Sequence, residues 1–210
     1  MQQRKQLWTM MQNSQPLAFL IILAWLAIGC GTTKPARFYL LTSQLSDVES
    51  VQQANPSSPM ILVGPVRLPE YLNRSQIIRF STANELKPNE YHRWAEPLEN
   101  NVARVLAENL RQQLQNDRVL LYPGLNVRHF DYRVTIDVIR FDVDTSNHVV
   151  LTANWALLVD HGDEVLRIQQ LTVREPVQNR DYGSIVATQS RALGKLSAAM
   201  AREINRTIDK

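Results

Sequence analysis

The stretch Asp131–Asp144, D-Y-R-V-T-I-D-V-I-R-F-D-V-D, alternates apolar and polar residues but changes phase halfway. Tyr132, Val134, Ile136 and Val138 share one parity, and Ile139, Phe141 and Val143 share the other. Side chains of a strand point alternately to its two faces, so a uniform strand would split this apolar set between core and solvent. One extra residue near Val138–Ile139 restores a common buried face, and a β-bulge inserts such a residue. The same alternation sends Asp142 and Asp144 to a solvated face, so they are read as surface carboxylates and not as a catalytic pair.

Outward from this strand the pattern continues. Val149, Leu151, Ala153, Trp155, Leu157 and Val159 keep one parity through Asp160, and residues 164–175 add a further extended segment. Together they read as an antiparallel meander, with His161-Gly162-Asp163 as the last tight turn. Tyr182–Ile208 carries Ile185, Ala192, Leu193, Leu196, Met200 and Ile204 at helical spacing, and Leu98, Val102, Val105, Leu106, Leu110 and Leu114 do the same after Pro97. Pro97 suits the first turn of that helix. Val119–Tyr122 reads as a short strand, as do Ser75–Ser81 and Met60–Leu68. In the last of these Gly64-Pro65 demands a bulge or an edge position. The expected architecture is α/β: a mixed, largely antiparallel β-sheet with two main helices packed against it.

Upstream, Phe38-Tyr39-Leu40-Leu41 is a short apolar run. Residues 43–59, rich in Ser, Gln and Pro, read as a loop or tether. Leu17–Ile28 is an uninterrupted apolar run of 12 residues, preceded by Arg4 and Lys5 and followed by small Gly29 and the single cysteine, Cys30. This is the pattern of a secretory signal, and the run falls short of the roughly 20 apolar residues a spanning helix needs. Leu26-Ala27-Ile28-Gly29-Cys30 resembles a bacterial lipobox, with Ala27 where that pattern prefers Leu. A lipobox implies removal of residues 1–29 and acylation of Cys30 as the first mature residue. By the same resemblance, Gly31 in place of Asp directs the protein to the outer membrane, on its periplasmic face. The expected organisation is a lipoprotein signal peptide over 1–29, a lipidated N-terminus with short strand and polar tether over 30–59, and a periplasmic α/β domain over 60–210.

Much chemistry is absent. One cysteine excludes an intramolecular disulfide and a multi-cysteine metal site. Without Arg4 and Lys5 the chain holds 21 Lys and Arg against 20 Asp and Glu, which gives no basic face for nucleic acid. Seven glycines permit no G-x-G-x-x-G, Walker loop or G-x-S-x-G elbow. His92, His129, His148 and His161 stand apart, without metal-ligand spacing. No nucleophile, base and orienter can be named together, so neither an enzyme nor a cofactor is expected.

The body of the chain resembles a known family. Val63-Gly64-Pro65-Val66-Arg67-Leu68-Pro69-Glu70-Tyr71-Leu72-Asn73-Arg74, then Ile77 and Ile78, are similar to the opening motif of the PqiC (YmbA-like) family of ABC-type transport auxiliary lipoproteins. His92-Arg93-Trp94-Ala95-Glu96-Pro97-Leu98, Val105–Leu110, Tyr132-Arg133-Val134, Val138, Arg140-Phe141-Asp142, Leu151 and Trp155 continue the match in order. The resemblance implies an α/β fold and a non-enzymatic accessory of an intermembrane lipid-transport system. Its partners would be an MCE-domain periplasmic protein and an inner-membrane component, and its task to dock the periplasmic conduit at the outer membrane. Such a role needs a protein-binding surface, for which Pro69, Tyr71, Leu72, Arg74, Trp94 and Pro97 are the candidates, since Tyr, Trp and Arg make interface anchors. Tyr71 and Trp94 suit equally well a role in closing the core over the first helix. A homo-oligomeric docking ring and a monomer both fit the sequence. A reading of another class, a lipid-binding carrier, requires an apolar cavity of several hundred Å³ between sheet and helix.

Overall fold

A computed structural model describes residues 34–43, 56–124, 127, 129–159 and 164–208. The signal segment, Cys30, most of the 43–59 stretch and the His161-Gly162-Asp163 turn lie outside the described residues. By internal contacts the chain divides into residues 1–35 and 36–210, and every element below belongs to the second unit. In order these are β1 (Arg37–Tyr39), β2 (Ile61–Arg67), a 3-10 turn (Glu70–Leu72), β3 (Gln76–Phe80), β4 (Leu86–Trp94), α1 (Leu98–Gln113), β5 (Val119–Leu121), β6 (Tyr132–Val143), β7 (His148–Val159), β8 (Val165–Pro176) and α2 (Tyr182–Ile208).

The eight strands form one open mixed sheet. Its spine is the meander β6-β7-β8, paired antiparallel over nearly the full length of each strand. The free edge of β6 is shared: β2 runs parallel to its first half, and β3 meets it at Arg79↔Val143. Beyond β2 lies β5, and beyond β3 lie β4 and then β1. The register of β6 on β7 shifts between Val138 and Arg140, so Ile139 is the extra residue and is exposed. Val134, Ile136, Val138, Phe141 and Val143 are all buried in consequence. The bulge expected from the phase change is therefore present, and it places both halves of the strand on one core.

Of the two expectations for β2, the bulge holds and the edge position does not. The register shifts between Val63 and Val66, but β2 is flanked on both sides, by β5 and by β6. Gly64 has φ +128°, and a Cβ there would collide with the backbone carbonyl of Tyr122, so both conformation and space require glycine. β4 was not expected at all: L-K-P-N-E-Y-H-R-W has no apolar alternation, and its pairing with β3 and β1 makes it a strand.

Both helices cover one face, α1 over β2 and β5, and α2 over β7 and β8, and they pack on each other. Their apolar stripes are the expected ones, with Leu98, Val102, Leu106 and Leu110 meeting Ile185, Leu193, Leu196, Met200 and Ile204 in a single core. Pro97 is extended and precedes α1, so it fixes the entry to the helix and is not part of its first turn. Asp181 caps α2 through Ser184, accepting from its backbone N–H at 2.9 Å and from its hydroxyl at 2.7 Å.

The segment after β1 is clamped onto the helices. Asn101 accepts from Leu41 N–H at 2.7 Å and donates to Leu41 C=O at 3.1 Å, and Ser190 Oγ accepts from Thr42 N–H at 3.1 Å. Leu41 is 1% exposed. The described residues on either side of 44–55, Leu41 and those of β2, are thus both part of the core.

Candidate functional site

The six residues proposed for docking fall on two segments that the fold joins. Pro69 opens the 3-10 turn, with Leu72 N–H donating to Pro69 C=O at 2.9 Å and Asn73 N–H to Glu70 C=O at 3.0 Å. Trp94 N–H donates to Ser75 C=O at 2.7 Å, which brings the 94–97 segment beside Arg74. Leu72 and Trp94 are core residues, packed in one cluster with Leu98. Pro69 and Tyr71 are half-buried, and Arg74 and Pro97 are exposed. The site is thus a ridge with Leu72 and Trp94 facing inward, Arg74 and Pro97 exposed, and Pro69 and Tyr71 half-buried between them.

Tyr71 braces the ridge. Its hydroxyl donates to Asp142 Oδ2 at 2.8 Å, while Arg140 Nε donates to Asp142 Oδ1 at 2.8 Å. Asp142 is 0% exposed, which corrects the expectation of a solvated carboxylate. The physical reason is that the turn carrying Tyr71 closes over that face of β6, and Arg140, stacked 5.1 Å above the Phe80 ring, seals the side. Burial pushes the Asp142 carboxyl up from its ordinary value, against the opposing hydrogen bonds from Arg140 and Tyr71 and with the Asp144 charge adding to it. Burial and the neighbouring carboxylate drive the Tyr71 hydroxyl far above the usual phenol range, so Tyr71 remains a donor. Asp144 lies in the turn between β6 and β7, holding Ser146 and His148 N–H groups at 2.9 Å and pairing with Arg174 at 2.7 Å. Tyr71→Phe leaves one oxygen of a buried carboxylate without its donor and is expected to cost about 1–3 kcal/mol of stability. Urea unfolding of the two proteins measures this, and coincident midpoints would contradict the bracing role.

A second feature was not legible in the sequence. The His92 ring stacks on Tyr182 at 4.0 Å and 15°, and the Tyr39 hydroxyl lies 2.7 Å from His92 Nδ1. These residues, with Arg37 and Asp181, line an open cleft of about 640 Å³ where β1, β4 and the start of α2 meet. Burial, and then the charge of Arg37, lower the His92 pKa, favouring the neutral ring. The three aromatics come from positions far apart in sequence, so no spacing signalled them. His129 is exposed, and His148 Nδ1 lies 2.9 Å from Ser146 C=O. Among the described residues, no three His, Cys, Asp or Glu side chains converge as a metal site. Among them too, no helix is long and apolar enough to cross a membrane.

Between sheet and helices the core is built of large side chains, with Leu106, Leu110, Trp155, Ile185 and Leu193 among the largest wholly buried ones. The cleft beside His92 opens at the sheet margin, and a smaller one of about 240 Å³ opens on the sheet between Pro65, Asp137 and Ile168.

Two solved structures are similar to this fold. One, a crystal structure of an uncharacterized protein, is 20% identical with a TM-score of 0.66, covering 81% of this chain and 99% of its own. Another, a Xanthomonas campestris protein of the DUF330 family, is 20% identical with a TM-score of 0.62, covering 83% and 97%. No curated protein matches the chain. Residues 39–201, from β1 into α2, match the family described as ABC-type transport auxiliary lipoprotein component. With that match spanning β2 to β8, all of α1 and most of α2, the chain belongs to the ABC-type transport auxiliary lipoprotein family.

Proposed function

We propose that this protein is a non-enzymatic lipoprotein, anchored to the periplasmic face of the outer membrane through acylated Cys30, that docks the conduit of an MCE-type intermembrane lipid-transport complex. The observation that carries the reading is the family match over residues 39–201, which ties the whole folded domain to transport assistance. The lipobox-like Leu26-Ala27-Ile28-Gly29-Cys30 supports the anchor and Gly31 the outer membrane. In this reading the partner, an MCE-domain protein carrying the conduit from the inner-membrane component, meets the ridge of Pro69, Tyr71, Arg74 and Pro97. Leu72 and Trp94 hold that ridge from beneath. The alternative of a lipid carrier is disfavoured by the large side chains, Leu106, Trp155 and Leu193 among them, that are buried between sheet and helices where an acyl chain would lie.

Affinity capture with the tagged, lipidated protein is expected to recover an MCE-domain protein, and Arg74→Glu is expected to weaken the capture about tenfold or more, as loss of an interface arginine does. Capture of no such protein by the lipidated form would reject the complex. Undiminished capture by Arg74→Glu would move the docking surface elsewhere.

A further inference from the structure

We infer that the corner of the sheet formed by β1 and the end of β4 rests on the phospholipid surface to which the chain is anchored, with Phe38, Leu40 and Tyr91 among the headgroups and Arg37 beside the phosphates. The inference deepens the anchoring reading and rests on it.

The length of chain is the first reason. Cys30 stands seven residues before Arg37, and an extended chain covers at most ~3.3–3.6 Å per residue, so the acylated sulfur lies within roughly 25 Å of β1. A domain of this size is roughly 40 Å across. The tether is therefore shorter than the body it holds, and it cannot bring the far side of the domain to the membrane. Nor can β1 peel away to lengthen it without loss. Its three residues pair with His92, Arg93 and Trp94, and Leu41 behind them is held at both backbone groups by Asn101.

The surface at this corner suits a headgroup layer. Among the described residues seven large hydrophobic side chains are exposed, and three of them, Phe38 at 63%, Leu40 at 44% and Tyr91 at 44%, stand here. Aromatic side chains with a polar neighbour are the types that settle at a membrane interface. Arg37 is exposed and, among the described residues, makes no ion pair, whereas Arg93 is tied to Glu90 and the Asp181 carboxylate is engaged by Ser184. Arg37 is thus a cation available for a lipid phosphate, lining the cleft with Tyr39, His92 and Tyr182.

The experiment uses the mature acylated protein carrying Phe38→Trp, in vesicles of phosphatidylethanolamine and phosphatidylglycerol with or without bromine on the acyl chains. The two tryptophans retained beyond residue 29, Trp94 and Trp155, are buried, and the unsubstituted protein supplies their background. Brominated lipid is expected to reduce the added emission at least about twofold, as for an interfacial aromatic. Ile168→Trp, on β8 at a position 70% exposed, is expected to be unaffected. Leu40→Trp replaces Phe38→Trp should the latter not fold. Flotation with the vesicles without quenching of Phe38→Trp, or with equal quenching of both variants, overturns this inference and leaves the anchor standing. Absence of quenching throughout, with Phe38→Trp shifting to the blue only when an MCE-domain protein is added, overturns it in favour of a protein occupant. Failure of the acylated protein to float at all overturns the anchoring reading, and this one with it.

Discussion

Cys30→Ser is expected to abolish the acylated mature form and to empty the outer-membrane fraction of this protein by more than about tenfold, because several acyl chains are what make lipid anchoring stable. The thiol is the one side chain in the 17–35 stretch that readily forms a thioether, and a serine hydroxyl there cannot replace it. The 12-residue apolar run before it is well under the roughly 20 residues that span a hydrocarbon core. Mass measurement of the mature N-terminus checks the wild type directly, since residues 1–29 should be missing and the mass of the acyl groups added. An intact precursor with a free Cys30 thiol, or an outer-membrane fraction unchanged by Cys30→Ser, would contradict the anchor. It would also remove the reason for placing the docking ridge in the periplasm.

Trp155→Ala is expected to destabilise the domain by about 3–5 kcal/mol, a large share of the ~5–15 kcal/mol that holds a domain of this kind together. Trp155 sits at the centre of β7, opposite Ile136 on one side and Gln169 on the other, and is 2% exposed. It belongs to the core covered by α2, so its removal opens a cavity that a strand paired on both edges cannot collapse to fill. Its indole N–H is buried with no hydrogen-bond partner among the described residues, so packing and not hydrogen bonding secures it. Trp155→Phe should therefore cost far less than the alanine change, since it keeps most of the volume and removes an unpaired donor. Denaturant unfolding of the two variants separates them. Equal losses would mean that the indole edge, and not its bulk, carries the stability.

β6 and β7 were legible because each has one buried face, and burial writes a period of two into the sequence, while β8 alternates half-buried with exposed residues. The phase break at Val138–Ile139 was legible for the same reason: a bulge is the only device that keeps Phe141 and Val143 on the face of Val134 and Ile136. Both helices were legible from their apolar stripes, and α2 spans the very residues, Tyr182–Ile208, over which its stripe repeats. β4 was not, because Lys87, Pro88, Glu90 and Tyr91 are exposed and its pairing is backbone-driven, by β3 on one side and β1 on the other. Asp142 was misread because strand alternation knows only the two faces of one sheet. The residue that buries it, Tyr71, comes from 71 positions away on a turn that folds across the face expected to be wet.

Whatever a residue's own neighbours decide was thus present in the chain order: the bulges, the amphipathic faces, and a cysteine placed behind an apolar run. Whatever depends on which distant segment arrives was settled only by the tertiary structure. The central place of β2, the burial of Asp142, the His92 stack between Tyr39 and Tyr182, and the clamping of Leu41 by Asn101 belong to that second group. The physical reason is that periodicity records burial along one element, whereas strand order and buried polar pairs are fixed by long-range contacts whose free energy no local window contains.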